Sequence, residues 1–160
     1  MRKSFAKSLH VEMRSNPDLY LLTGDLGFGL FDNIKNESSQ FCNVGSAEQL
    51  LVGAGIGLAI AGKIPICYSI TPFLLYRPFE LIRNYINHEN IPVKLVGSGR
   101  GKDYDHDGFT HWAEDDLKIL DSFPNIQIYV PENIVELNNV FNEFLYNGRP
   151  SYLNITRSSA

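Results

Sequence analysis

The sequence is short of the features that mark specialised classes of protein. It has two cysteines in 160 residues, Cys42 and Cys67, and they lack metal-ligand spacing. They leave a single disulfide as the alternative to free thiols and give no zinc framework. Both sit in apolar, strand-like segments, so they are expected as reduced core thiols of a cytosolic, cytoplasmic protein. Positive charge is also sparse: 14 Lys and Arg stand against 18 Asp and Glu, for a net charge of −4. The basic residues are scattered, which excludes the basic stripe of a nucleic-acid-binding surface. No long hydrophobic run exists. The apolar stretch from Leu50 to Gly62 is too short to span a bilayer, so no membrane partner is expected. The start, Met1-Arg2-Lys3-Ser4-Phe5, leads into an amphipathic pattern rather than the apolar core of a signal peptide. There is no internal repeat, low-complexity tract or linker.

What remains is an ordinary globular composition, 44% hydrophobic and 20% charged. It suits a single domain over residues 1–160 with a proper core. Phe5, Leu9, Val11 and Met13 recur at helical spacing, and Asn16-Pro17 ends that helix. Leu19 to Thr23, Phe41 to Val44, Ile64 to Ile70, Ile91 to Val96, Ile126 to Val130 and Ser151 to Thr156 read as six strands. Between them, Phe73 to Asn87, with Pro78 as its one irregularity, Ala113 to Phe123, and Pro131 to Tyr146 read as helices. Gly27 to Gln40 reads as a long loop. Ser46, with Gln49 three residues on, predicts a capping box at the start of a glycine-rich helix. Gly53, Gly55 and Gly57 weaken that helix by roughly 1 kcal/mol each relative to Ala, a cost that implies close approach of another backbone or a ligand. Strands alternating with helices predict an α/β three-layer sandwich with a mainly parallel sheet of about six strands. In such folds the loops after the strands gather at one end of the sheet, where ligands bind.

Asp25, Glu48, Phe73, the polar segment Gly99 to His111 and Arg157 all follow strands and can converge there. Glu48 is an acid in the first turn of an apolar helix. On its own it reads as a residue that complements the helix dipole, worth about 0.3–1 kcal/mol. Asp25, taken alone, reads as a turn residue. Gly97-Ser98-Gly99-Arg100-Gly101-Lys102 lacks the spacing of a phosphate-binding loop. Asp105-His106-Asp107-Gly108-Phe109-Thr110-His111 could hold zinc. It reads more economically as a polar loop with His111 as a hydrogen-bonding or proton-transfer group, so no metal is assigned to this chain.

Taken together, Gly24-Asp25-Leu26, Asn43-Val44-Gly45-Ser46-Ala47-Glu48-Gln49, Gly62-Lys63-Ile64-Pro65-Ile66, Asp107-Gly108-Phe109-Thr110-His111, Pro124-Asn125-Ile126 and Pro131 resemble, in order, the pyrimidine-binding (Pyr) domain of the transketolase family. The resemblance covers nearly the whole chain. Deoxyxylulose-phosphate synthases and the beta subunits of 2-oxoacid dehydrogenases are similar too. The Asp107 to His111 element favours the first two over the third. The resemblance implies the thiamine-diphosphate-binding Pyr fold and thiamine diphosphate as cofactor. Glu48 then hydrogen-bonds a ring nitrogen of its aminopyrimidine and activates it. Phe73 stacks on the ring, Ile70 is a second wall, and Asp25 lies near the cofactor and the subunit boundary. Asp107 and His111 touch substrate hydroxyls and carbonyl, and Arg157 contacts a substrate phosphate.

Two positions depart from the family pattern. Gly99 stands where a histidine is usual, and Gly29 where a phosphate-contacting serine is usual. Arg77 or Arg100 could recognise a different anionic group. The family's diphosphate-binding (PP) domain, which carries the magnesium, is not among these 160 residues. The expectation is a split enzyme: a PP-domain partner subunit holds magnesium and diphosphate, and two pairs self-associate as a heterotetramer with Gly53, Gly55 and Gly57 at the interface. The expected reaction transfers a two-carbon ketol unit between small carbonyl compounds. The alternatives are a 2-oxoacid decarboxylase or dehydrogenase beta subunit, a deoxyxylulose-phosphate-synthase-like enzyme, or a non-catalytic binding module.

Overall fold

The computed structural model describes residues 1–157. Six strands form one sheet: β1 (Leu19–Thr23), β2 (Phe41–Asn43), β3 (Ile64–Ile70), β4 (Lys94–Ser98), β5 (Gln127–Tyr129) and β6 (Ser151–Ile155). Their order is β2-β1-β3-β4-β6-β5, and every neighbouring pair is parallel. Each return to the same end needs a crossover, and the helices supply it. They are α1 (Arg2–Ser15), α2 (Asp32–Glu37), α3 (Glu48–Ile60), α4 (Thr71–Tyr76), α5 (Phe79–Leu81), α6 (Asp116–Leu120) and α7 (Ile134–Tyr146). The sheet is thus wholly parallel, and both of its faces are covered.

Side chains alternate between two cores, as the two-residue period of a strand requires. Leu19, Leu21, Ile66, Tyr68, Val96, Leu153 and Ile155 pack with Phe5, Leu9 and Met13 of α1 and Leu137, Phe141 and Phe144 of α7. Leu22, Cys67, Leu95 and Tyr152 pack on the other face with Leu51, Val52 and Ile56 of α3, and with Leu74, Ile82, Ile86 and Leu120.

Several expectations change. The stretch from Gly27 to Gln40 contains α2, whose one buried residue is Ile34. One apolar residue in six gives too little periodicity to reveal a helix. The capping box at Ser46 does not form: α3 begins at Glu48, with Ala47 before it and no side-chain cap. Gly45, at φ 76°, and the Ala47 N–H to Gly45 C=O bond of 2.7 Å make a tight turn there instead. A capping pair forms at α7, where Asn133 Oδ1 accepts from the Glu136 N–H at 3.0 Å and Glu136 Oε2 accepts from the Glu132 N–H at 2.8 Å. The helix expected over Phe73 to Asn87 breaks at Arg77-Pro78, because proline has no N–H for the ladder. It resumes as α5 and continues as a π-helix over Ile82–His88. Cys67 is buried, but Cys42 is exposed rather than a core thiol. It lies on β2, the edge strand of the sheet.

Gly55 has an internal reason. A Cβ there would lie 2.6 Å from Cys67 Sγ, so the glycine lets α3 settle onto β3. Gly53 and Gly57 meet no such obstacle.

Lys94 is buried at the start of β4, and among the described residues no acid pairs with it. Its ammonium donates to Asn147 Oδ1 at 2.5 Å and the Arg149 carbonyl at 2.7 Å, just past the C-terminus of α7. That end of the helix carries partial negative charge, which favours a cation. Burial still pushes Lys94 down to about 8 from 10.5. Below pH 8 the ammonium is charged in both states, and folding bears the full desolvation cost. As pH rises from 8 towards 10.5, the folded protein sheds the proton while the unfolded chain keeps it, so stability rises. Between pH 7 and pH 9.5 the wild type is expected to gain about 2 kcal/mol relative to Lys94→Met. Denaturant titrations of both proteins at the two pH values check this; a constant difference would show that Lys94 stays protonated throughout.

Candidate functional site

Glu48 sits at the carboxyl end of the sheet as the first residue of α3, with its side chain 1% exposed. Its two oxygens have different partners. Oε1 accepts from Ser69 Oγ at 3.1 Å, and Oε2 is paired with Arg77 Nη1 at 2.6 Å. Ser69 is the polar residue near the end of an otherwise apolar strand. Gly24, at the end of β1, leaves the room that the carboxylate needs: a Cβ there would stand 3.2 Å from Oε1. Arg77 also lies over the face of Phe73, its guanidinium carbon 3.8 Å from the ring centroid. A buried acid, an aromatic face and a half-exposed cation thus meet at one point.

From there a line of contacts runs along the strand ends. The Phe73 and His111 rings meet edge to face at 4.8 Å. His111 Nδ1 lies 3.0 Å from Thr110 Oγ1, and its ring is 6.3 Å from that of Tyr104. Arg157 covers Tyr104 at 4.7 Å, and its Nη1 lies 3.1 Å from His106 Nε2. The His106 ring in turn is 3.2 Å from Asp107 Oδ2. Two short 3-10 turns, Asp105–Asp107 and Phe109–His111, present this segment. Arg157 also borders a cleft of about 270 Å³ with Arg2, Lys3, Phe28 and Gly29. The cleft joins three cationic side chains from opposite ends of the chain.

Glu48, Phe73, His111, Arg157 and Asp107 are therefore joined in that order by one chain of contacts, through Arg77, Tyr104 and His106. Asp25 stands at the end of β1, in a left-handed conformation at φ 56°. Asn43 holds it there, accepting from the Asp25 N–H at 2.9 Å. Ile70 alternates with Ser69, so its half-buried side chain points to the other face of β3. Arg100 is not free to bind an anion: it donates to Asn154 Oδ1 at 2.8 Å and to the Asn154 and Pro131 carbonyls. Gly99 has φ 93°, and a Cβ there would lie 2.4 Å from the Tyr104 ring, so Tyr104 fills the space above it.

Sequence pattern did not single out Ser69 or Tyr104. A serine inside a buried strand was the available signal for the first. Nothing local marked the second.

The segment Asp105 to His111 does not assemble a metal set; among the described residues no three His, Cys, Asp or Glu side chains converge. No helix of the described residues is long and apolar enough to cross a membrane.

Comparison with known proteins matches residues 1–160 to the family described as transketolase, pyrimidine binding domain. The chain is 34% identical over 122 residues to an apulose-4-phosphate transketolase subunit of Actinobacillus succinogenes, covering 76% of this chain and 39% of that protein. It is 31% identical over 118 residues to the 6-deoxy-6-sulfo-D-fructose transketolase subunit SqwH of Clostridium sp. (strain MSTE9), covering 74% of this chain and 37% of that protein. The chain thus spans about two fifths of the length of these relatives. Among solved structures, a split-gene transketolase in an inactive beta4 tetramer superposes with a TM-score of 0.84 at 28% identity, over 99% of this chain and 51% of that one.

Proposed function

The chain belongs to the transketolase pyrimidine-binding domain family, and from that premise we propose that it is the ring-binding part of a split, thiamine-diphosphate-dependent transketolase. A separate PP-domain subunit would hold the diphosphate and its magnesium, and pairs would assemble as a heterotetramer. The observation that carries this reading is Glu48: a carboxylate sealed in the protein, with one oxygen fixed by Ser69 and the other paired with the half-exposed Arg77. The residues present fit the cofactor's ring. The place between Glu48 Oε2 and the face of Phe73 already accepts a flat, hydrogen-bond-donating group, the guanidinium of Arg77.

When bound, thiamine diphosphate supplies the nucleophilic carbon that makes and breaks the carbon–carbon bond. This chain's residues position and tune it. Ser69 fixes the Glu48 carboxyl group, so that only Oε2 is left to share a proton with the ring nitrogen. Phe73 offers a stacking face, and Ile70 and Asp25 border the site. His111, packed against Phe73, would move a proton to or from a substrate carbonyl oxygen. Asp107 would bind substrate hydroxyls. Arg157, with Arg2 and Lys3 around the same cleft, suits an anionic group at the far end of the substrate. The names of the two relatives, one with a phosphate and one with a sulfonate, support that class.

The test mixes the full-length protein with its PP-domain subunit, thiamine diphosphate, magnesium and a panel of phosphorylated and sulfonated ketoses. Transfer of a two-carbon unit to an aldehyde acceptor, read by mass spectrometry, is the expected result. Complex formation without transfer from any ketose would mark a non-catalytic module. Release of carbon dioxide from a 2-oxoacid instead would mark a decarboxylase.

A further inference from the structure

Arg77 alone covers both groups assigned above to the cofactor ring. Its Nη1 donates to Glu48 Oε2 at 2.6 Å, and its guanidinium carbon is 3.8 Å from the Phe73 ring centroid. A guanidinium is planar, donates hydrogen bonds from its edge and stacks through its face. An aminopyrimidine is also planar and would meet the same carboxylate with its edge and the same aromatic ring with its face. The two cannot be there together.

We infer that Arg77 is an internal stand-in for the cofactor ring, an autoinhibitory clasp that leaves when the ring arrives. This inference rests on the roles given to Glu48 and Phe73 under the proposed function. The two partners differ in their freedom. The Arg77 side chain is 45% exposed, whereas that of Glu48 is 1% exposed. The arginine can withdraw into water; the carboxylate cannot. Arg77 lies at the helix break before Pro78, and among the described residues only Glu48 and Phe73 hold its side chain.

The exchange is a swap. A buried carboxylate is costly to strip of its partner, so the pair stays closed until another donor replaces the guanidinium. An arginine has donors and no acceptor. While it faces Oε2, that oxygen cannot present a proton to anything. The clasp therefore keeps Glu48 both satisfied and idle.

The test is calorimetric titration of thiamine diphosphate, with magnesium, into the complex of the full-length protein and its PP-domain subunit. Binding in the wild type is reduced by the fraction of molecules with the clasp open. Arg77→Ala is expected to bind ~10-fold more tightly or better, and its free form to melt earlier than the wild type. Arg77→Lys keeps a charge for Glu48 but cannot lie flat on Phe73. It guards against a folding failure of the alanine variant and is expected to bind with intermediate affinity. Unchanged or weaker binding in both variants, with wild-type binding intact, overturns the clasp and leaves the proposed function standing. No binding by the wild type overturns the ring-binding role and the clasp with it.

Discussion

Glu48→Gln is expected to lower turnover of the assembled enzyme by at least ~100-fold, the lower range for loss of a positioned proton-transfer group. The thermal midpoint of the free protein should hardly change. Glutamine keeps the length and shape of glutamate, and its amide oxygen can still accept from Ser69. Its amide N–H₂, however, has no labile proton to share with a ring nitrogen. It also turns a donor towards Arg77, which then moves into water. That release costs little, because the Arg77 side chain is already 45% exposed. The two measurements thus separate chemistry from structure. Steady-state kinetics checks the first and thermal unfolding the second. Turnover within a few-fold of the wild type, with cofactor bound, would remove Glu48 from the mechanism. Glu48→Asp gives a second view, since a carboxylate shorter by one methylene cannot reach both Ser69 and the ring.

How far the sequence announced this arrangement depends on the range over which each feature is determined. β3 is legible to its ends, Ile64–Ile70, because an apolar run is bounded by Gly62-Lys63 on one side and Thr71-Pro72 on the other. β1 is equally clear for the same reason. α2 is not, because it buries Ile34 alone. The start of α3 misleads: Ser46 has the identity of a cap, but the turn at Gly45 and Ala47 moves the cap one residue on, to Ala47. The site was legible in part for a related reason. Glu48, Asp25 and the segment through His111 stand at strand ends, which any parallel sheet gathers together. The Arg77–Glu48 ion pair crosses between two helices, and Tyr104 fills the space over Gly99 only because the loop folds back on β4. Neither contact leaves a periodic trace in the chain. Gly55 shows the opposite case, a residue noticed correctly and explained differently: its close neighbour is Cys67 of the same chain.

The second large effect lies beneath the site, in the buried cluster that ties its loop to the sheet. Asn154, 1% exposed on β6, donates to Asp116 Oδ2 and to the Tyr152 hydroxyl, both at 2.9 Å, and accepts from Arg100 Nε at 2.8 Å. Asp116 opens α6, and Arg100 opens the segment that carries Asp107 and His111. One amide therefore fastens both ends of that segment. Burial raises Asp116 above its ordinary value, so its charge is tolerated only through donors such as Asn154 and the Tyr152 hydroxyl. Asn154→Leu keeps the volume and the backbone hydrogen bonds but leaves a buried carboxylate and a guanidinium each short of a partner. The expected loss is about 3 kcal/mol, the range for breaking a buried, charge-assisted network. Because the network sits under one segment, the loss should also be local. Amide exchange is expected to speed up across residues 99–116 before it does in β3 or α1. KM for the substrate should rise more than kcat falls, since Asp107 and His111 lose their support while Glu48 and Phe73 keep theirs. Tyr152→Phe removes one donor and leaves Asn154 in place, so it should cost only about 1 kcal/mol. Equal losses in the two variants would mean that the hydroxyl holds the segment down as firmly as the amide does.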